Sequence, residues 1–191
     1  MSNVSVATFR AWKGNPTSPA DAVVQAAIDA AEEAINDDCG RIFAVAGSGT
    51  ARLYVPTNTD VLTIHDCTTV TAITESGSAV TLSYQLEPVN NLTAAGDYSP
   101  YTRIRLLGSS WRTTGERGEA TISVTATWGW ATLPDRYTQA VEILAADLLE
   151  QVELRNGIVG FTEYAGIRVK ANPMVAGLLK KLRRAEAWGI A

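Results

Sequence analysis

The chain has 191 residues, of which 46% are hydrophobic, and its 16 basic and 20 acidic side chains give a net charge of −4. This length suits one domain, or one domain with a large insertion. The acidic excess argues against a general nucleic-acid-binding protein, which normally carries a basic excess. The sequence shows no signal-peptide pattern and no apolar run near the roughly 20 residues of a membrane helix. Two cysteines, Cys39 and Cys67, do not make a disulfide framework. We therefore expect a soluble protein made in a cytoplasm, with no membrane partner.

The N-terminal segment, residues 1–49, carries two helical patterns. Three apolar side chains spaced by three predict a short opening helix or turn: Val6, Phe9 and Trp12. A long helix is then predicted with Ser18 as the N-cap and Pro19 at the first helical position, ending at Gly40. Its alanine-rich side faces another helix. Its acids face mostly the other way: Asp29, Glu32, Glu33 and Asp37.

Residues 50–130 change to a strand pattern. Short runs rich in β-branched residues, separated by Gly, Asp, Asn and Pro, occur at 52–55, 61–64, 70–73, 80–84, 103–107 and 121–127. A hairpin turn is predicted at 75–78. The loop at 108–118, which contains Trp111, is predicted to be exposed. Six or so strands between helices indicate an inserted antiparallel sheet or small sandwich.

Residues 131–156 are predicted to form the core helix, with Pro134 at its first position. Its buried face has apolar side chains at steps of three and four: Tyr137, Val141, Leu144, Leu148 and Val152. Residues 157–191 are predicted to form an extended arm and a basic helix that begins at Asn172-Pro173. The apolar side of this last helix comprises Met174, Val175, Leu178, Leu179 and Leu182. The predicted fold class is α+β: a small bundle of two long and two short helices, with the inserted sheet or sandwich.

The residues predict no catalytic, metal or cofactor site. His65 is the single histidine, and its neighbours Asp66 and Cys67 in a predicted strand fit a structural turn better than a catalytic site. The helical acids are interpreted as solvated faces, since no Glu-x-x-His pattern accompanies them. No glycine-rich phosphate loop is present. Trp128 and Trp130 are interpreted, with Pro134, as a structural junction that anchors the sheet to the core helix.

The order of these pieces resembles the head-tail connector, or head-completion adaptor, proteins of long-tailed bacteriophages. Three stretches carry the resemblance: residues 26–41, which end in Cys-Gly-Arg, residues 124–135 around Trp-Gly-Trp with the following 140–149, and residues 166–184. The match is weakest over residues 42–120. The smallest connectors of the family are mainly helical, so the β insertion departs from the family pattern.

This resemblance implies structural work in the virion neck. Such proteins form a ring, expected to have twelve subunits, beneath the portal of a DNA-filled capsid. They extend the channel through which the genome passes without sequence-specific binding, and they dock the next neck or tail protein. In the family the arm and the C-terminal helix tend to engage the portal. The portal-facing set implied here is Arg168, Lys170, Lys180, Lys181, Arg183, Arg184 and Trp188. The acidic helices would face either neighbouring subunits or the lumen.

Two alternatives accompany this interpretation. One is another neck or tail subunit, such as a stopper or tail-terminator protein. The other is a cytosolic β-sandwich enzyme or carbohydrate-binding module, which would use exposed aromatic rings as a stacking platform: Trp111, Trp128 and Trp130.

Overall fold

The computed structural model describes residues 3–56, 58–90, 99–112, 121–154, 169 and 172–184, with the backbone alone at 151–154. The chain divides into a helical unit, residues 1–43 and 133–191, and a sheet unit, residues 44–132. The described residues form four helices and a six-stranded antiparallel sheet, which confirms the predicted α+β class. None of the described helices is long and apolar enough to cross a membrane.

The described helices of the helical unit are α1 (Val6–Trp12), α2 (Asp21–Cys39), α3 (Asp135–Leu154) and α4 (Pro173–Leu179). The hydroxyl of Ser5 caps α1 by accepting a hydrogen bond from the Thr8 N–H at 3.0 Å. Helix α2 ends where the sequence predicted, because Gly40 adopts the left-handed conformation at φ 61° that favours glycine. Pro134 lies one residue before α3 rather than at its first position, and its carbonyl accepts from Tyr137 N–H at 2.8 Å.

The predicted start of α2 is wrong. Ala20 holds the N-cap position and no side chain caps the helix, so Ser18 and Pro19 lie outside it. The reason is Arg10 on α1, whose guanidinium donates to the carbonyls of Pro16 and Pro19 and to the Asp21 carboxylate. The charge-assisted hydrogen bonds of Arg10 thus stabilise the turn before α2, which the sequence predicted to be stabilised by a side-chain N-cap.

Helices α2 and α3 pack together through their small and branched faces. The buried side chains are Val24, Ala27, Ile28, Ala31 and Ile35 on α2, and Tyr137, Val141, Leu144 and Leu148 on α3. Glu32 departs from its predicted outward position, since it is buried and accepts from the backbone N–H groups of Asn3 and Val4 at 2.8 and 2.9 Å. Its carboxylate therefore ties the chain start to α2, because a buried acceptor needs donors.

The strands of the sheet unit are β1 (Thr50–Tyr54), β2 (Val61–Glu75), β3 (Ser78–Ala79), β4 (Tyr84–Glu87), β5 (Tyr101–Leu106) and β6 (Ile122–Trp128). Their order is β1-β6-β2-β5-β4, with β3 paired to β2. The described strands thus form one sheet, whereas the sequence was compatible with either a single sheet or a small sandwich. The hairpin predicted at 75–78 is confirmed, with Ser76 and Gly77 at positive φ between β2 and β3.

Two sequence boundaries in the sheet unit were wrong. The strands predicted at 61–64 and 70–73 are one strand, because β2 continues through His65-Asp66 and accommodates the irregular stretch in three register shifts. Its first half pairs with β5 and its second half with β6. The strand predicted at 80–84 does not form as such: residues 80–83 lie outside any strand, and only Tyr84 belongs to one, as the first residue of β4.

Trp111 was expected in an exposed loop, and this expectation is also wrong. Its side chain is 1% exposed, and its indole N–H donates to the carbonyl of Ile104 at 3.4 Å. Its backbone N–H donates to the Thr59 carbonyl at 2.7 Å. The indole belongs to the core of the sheet unit, because burying so large an apolar ring outweighs the irregular backbone around it. Residues 113–118 of that loop lie outside the described residues.

Candidate interaction surfaces

The C-terminal helix α4 is held by its first residue. The Asn172 side-chain oxygen accepts from the backbone N–H groups of Met174 and Val175, which confirms the cap predicted before Pro173. The Asn172 amide also donates to the Asp147 carboxylate on α3 at 2.8 Å. Asp147 therefore fixes α4 on α3, whereas the sequence suggested only a solvated acid.

The apolar side of α4 is narrower than predicted. Three side chains after Asn172 are buried, Val175, Leu179 and Leu182, and Val169 is buried as well. Met174, which was expected to line this side, is 64% exposed. The helix also ends at Leu179, and the basic residues follow it in a turn.

Residues 180–184 form a basic turn that is fastened to the end of α2. The backbone N–H of Arg184 donates to the carbonyl of Cys39 at 3.0 Å, and a guanidinium N–H of Arg41 donates to the Leu182 carbonyl at 3.2 Å. The guanidinium of Arg183 contacts the Asp38 carboxylate at 2.8 and 2.9 Å. These contacts satisfy groups at a helix C-terminus that otherwise lack helical partners. Sequence reasoning missed Asp38 and Arg41, since neither lies on a periodic face.

The predicted portal-facing residues therefore divide into groups. Lys180 and Lys181 are exposed on the basic turn, and no ion pair in the described part of the chain involves them. Arg183 and Arg184 are tied to α2 through the contacts above. The remaining three lie outside the described residues: Arg168, Lys170 and Trp188.

An acidic groove lies between α1 and α2, with a volume of about 1190 Å³. It is lined by Val4, Ser5, Val6, Ala7, Arg10, Asp21, Gln25, Asp29, Glu32, Glu33, Asn36, Asp37 and Ile42. Five carboxylates and one guanidinium are among these described residues. The guanidinium, from Arg10, is already paired with Asp21. Ile42 adds an apolar side chain that is 64% exposed.

Three carboxylates of the groove form an acidic stripe along α2: Asp29, Glu33 and Asp37. Each is four residues from the next, a spacing that places like charges side by side and costs about 0.2–0.5 kcal/mol per pair. Asp29 accepts a neutral hydrogen bond from Gln25 at 2.8 Å. No cation among the described residues forms an ion pair with the stripe. The stripe is thus a surface whose charge is uncompensated within the described subunit.

The two tryptophans of the predicted junction are packed within the sheet unit. Trp128 donates from its indole N–H to the Thr50 carbonyl at 2.8 Å, and the Arg52 guanidinium lies 4.6 Å from its ring centroid. Trp130 is 2% exposed, and its backbone N–H donates to Ala44 at 2.8 Å. Their anchoring of the sheet to the core helix, with Pro134, stays a prediction. Because Trp111 is buried too, the exposed aromatic platform expected for a carbohydrate-binding module does not form.

The chemistry of the described residues is that of a packed protein interior. Burial, reinforced by Asp38, raises the pKa of the Cys39 thiol to about 11, and burial with Asp66 raises that of Cys67 to about 12. Both thiols are therefore protonated near neutral pH and are poor nucleophiles. Tyr54 and His65 contact each other at 2.8 Å through the phenol oxygen and Nδ1. No group of three or more His, Cys, Asp or Glu side chains in the described ranges is placed to hold a metal ion.

Comparison with known proteins gives a likeness in structure. No family model matches the chain. No curated protein sequence matches it either. The chain is similar to one in the neck of an empty gene transfer agent (GTA) particle, with a TM-score of 0.59 and 24% identity over 97% of this chain and 92% of that one. It is similar to a chain in the virion of a native GTA particle, with a TM-score of 0.56 and the same identity and coverage. At this identity the likeness establishes a shared fold.

Proposed function

We propose that this protein is a structural neck subunit of a phage-like particle, acting as a head-to-tail adaptor rather than as an enzyme. In this function twelve copies form a ring beneath the portal, extend the DNA channel and dock the next neck or tail protein. The subunit is made in the host bacterial cytoplasm and ends in the virion neck. It uses no cofactor, and the genome slides past without sequence-specific contact.

The observation that carries this proposal is the fold likeness over nearly the whole length of a neck chain. The sheet unit lies within that coverage, so the β insertion that departs from small connectors has a counterpart in a neck protein. The structure of that neck was computed with C6 symmetry, with which a ring of twelve is compatible. The acidic excess of the chain also supports a channel protein, since a basic lining would hold DNA phosphate electrostatically.

The portal contact is assigned to the C-terminal segment, where residues 155–191 carry seven basic and two acidic side chains. Arg183 and Arg184 contribute mainly to fixing the turn on α2, as their contacts with Asp38 and Cys39 show. Arg168, Lys170 and Trp188 are the members of the predicted set that we propose for the portal contact, while Lys180 and Lys181 are considered separately below.

Truncation of the chain at about residue 165 tests this assignment but also removes buried side chains, Val175 and Leu179 among them. A triple alanine variant of Arg168, Lys170 and Trp188 is a cleaner test, because it leaves those side chains in place. We expect it to fold normally and to bind purified portal at least about tenfold more weakly, a change of about 1.4 kcal/mol. The measurement is a titration against immobilised portal, with Lys13→Ala as the control. Unchanged portal affinity in the triple variant would refute the assignment.

A further inference from the structure

We infer that the acidic groove between α1 and α2 receives the basic turn of a second copy, with Lys180 and Lys181 opposite the acidic stripe. This inference rests on the proposed ring, and it names the surfaces that join one subunit to the next. It also chooses between the two positions expected for the acidic helices, and assigns α2 to the neighbour rather than to the lumen.

Charge complementarity is the first support. The stripe of Asp29, Glu33 and Asp37 has no ion-pair partner among the described residues, and Lys180 and Lys181 have none either. Like charges four residues apart on a helix destabilise the isolated subunit. A cation from outside removes that penalty. Two complementary, uncompensated surfaces on one chain therefore satisfy each other when copies associate.

The placement of the two surfaces is the second support. The groove is lined by α1 and one side of α2, whereas the basic turn follows α4 and is bound through Asp38, Cys39 and Arg41 at the C-terminal end of α2. Because the groove and the turn are different surfaces, their contact can repeat head to tail, and such a heterologous contact closes into a ring when the rotation between copies allows it. A two-fold contact centred on the stripe would bring it against the stripe of the other copy, and electrostatic repulsion opposes that arrangement.

The basic turn is also suited to docking as a rigid body. Contacts with Asp38, Cys39 and Arg41 hold it on the end of α2, while both lysine side chains stay exposed. A turn fixed in the free subunit loses little conformational entropy when it docks. At the end of the groove, the exposed Ile42 side chain gives the docked turn apolar surface to cover.

A charge swap in the full-length chain tests the inference. One variant reverses the groove with Glu33→Lys and Asp37→Lys, and the other reverses the turn with Lys180→Glu and Lys181→Glu. Asp60→Lys with Glu150→Lys is a matched control, because it reverses two exposed acids outside the groove. Sedimentation velocity at low ionic strength, where surface charges act furthest, measures self-association of each protein and of an equimolar mixture of the two reversed variants.

We expect each reversed variant alone to self-associate at least about tenfold more weakly than the wild type, and the control to match the wild type. The mixture should regain association, since the basic groove of one variant then meets the acidic turn of the other. A wild-type protein that stays monomeric, a reversed variant that associates like the wild type, or a mixture that fails to recover would each overturn the inference.

Portal binding, measured on the same variants, separates this inference from the proposed function. If reversal of Lys180 and Lys181 abolishes portal binding and leaves self-association intact, the lysines contact portal rather than a second copy, and the adaptor function stands. If the wild type associates as described and never binds portal, the adaptor function fails while the contact between copies remains.

Discussion

Replacing Gly129 by alanine is expected to lower the free energy of unfolding of the sheet unit by about 3 kcal/mol, from backbone strain and overpacking together. Gly129 adopts φ +112°, which side chains with a Cβ rarely tolerate. An added Cβ would lie 2.5 Å from the backbone oxygen of Ala44. Residues 129 and 130 cannot easily move away, because two backbone hydrogen bonds hold them. The Gly129 N–H donates to the Asp66 backbone carbonyl and the Trp130 N–H to the Ala44 carbonyl, both at 2.8 Å.

Gly177→Ala is the matched control for this prediction. Gly177 lies within α4, and nothing lies within 4 Å of the position that its Cβ would take. The same substitution should there leave stability unchanged or raise it by about 0.5–1 kcal/mol, since alanine favours helix more than glycine does. Denaturant titration measures both variants, followed by tryptophan fluorescence for the sheet unit, which contains Trp111, Trp128 and Trp130, and by circular dichroism for the helices. Equal stabilities of the two variants would show that the backbone at Gly129 is not constrained.

Replacing Trp130 by alanine is expected to destabilise the protein by about 3–5 kcal/mol, the range for removing a buried aromatic ring. Its side chain is 2% exposed, and its backbone joins the 44–46 segment through hydrogen bonds with Ala44 and Ala46. Denaturant titration followed by circular dichroism is the measurement, because the substitution removes one of the fluorescent probes.

Trp12→Ala provides the comparison, because the Trp12 side chain is 48% exposed. We expect this substitution to lower the free energy of unfolding by less than about 1 kcal/mol. Portal affinity of the Trp130 variant, corrected for the folded fraction, should equal that of the wild type. A stably folded Trp130 variant that has lost portal binding would contradict the structural role assigned to the Trp-Gly-Trp segment.

The elements with strong local signals could be predicted from the sequence. Gly40 ends α2 and Asn172 begins α4 because capping chemistry acts within a few residues. The alternation of apolar and polar residues along β6 and the spacing of three and four between apolar residues in α3 also identify the buried faces. Side chains at these spacings point to the same side of a strand or a helix.

The failures involve partners that are distant in sequence. Arg10 fixes the start of α2 from another helix, so a local capping rule predicted the wrong residue there. Glu32 was assigned to the solvent because it is charged, although it lies four residues after Ile28 and three before Ile35 on the buried face. That period was a usable signal, and the backbone donors of Asn3 and Val4 explain why a carboxylate is tolerated there.

For the candidate interaction surfaces, the sequence predicted only which segments are rich in acidic or basic residues. The sequence showed that acids accumulate on α2 and cations near the C-terminus, but it did not show which charges are neutralised within the subunit. Arg183 is paired with Asp38 across 145 positions, whereas Lys180 and Lys181 are exposed. Only the packed structure separates cations that hold the fold together from those that face outward.

Size-exclusion chromatography with light scattering, run with and without purified portal, tests the central claim most directly. The adaptor function predicts that the protein co-elutes with portal and adds the mass of a closed ring, expected to be twelve subunits of 20.4 kDa each. A protein that remains monomeric in both runs and never enters the portal peak would contradict that function.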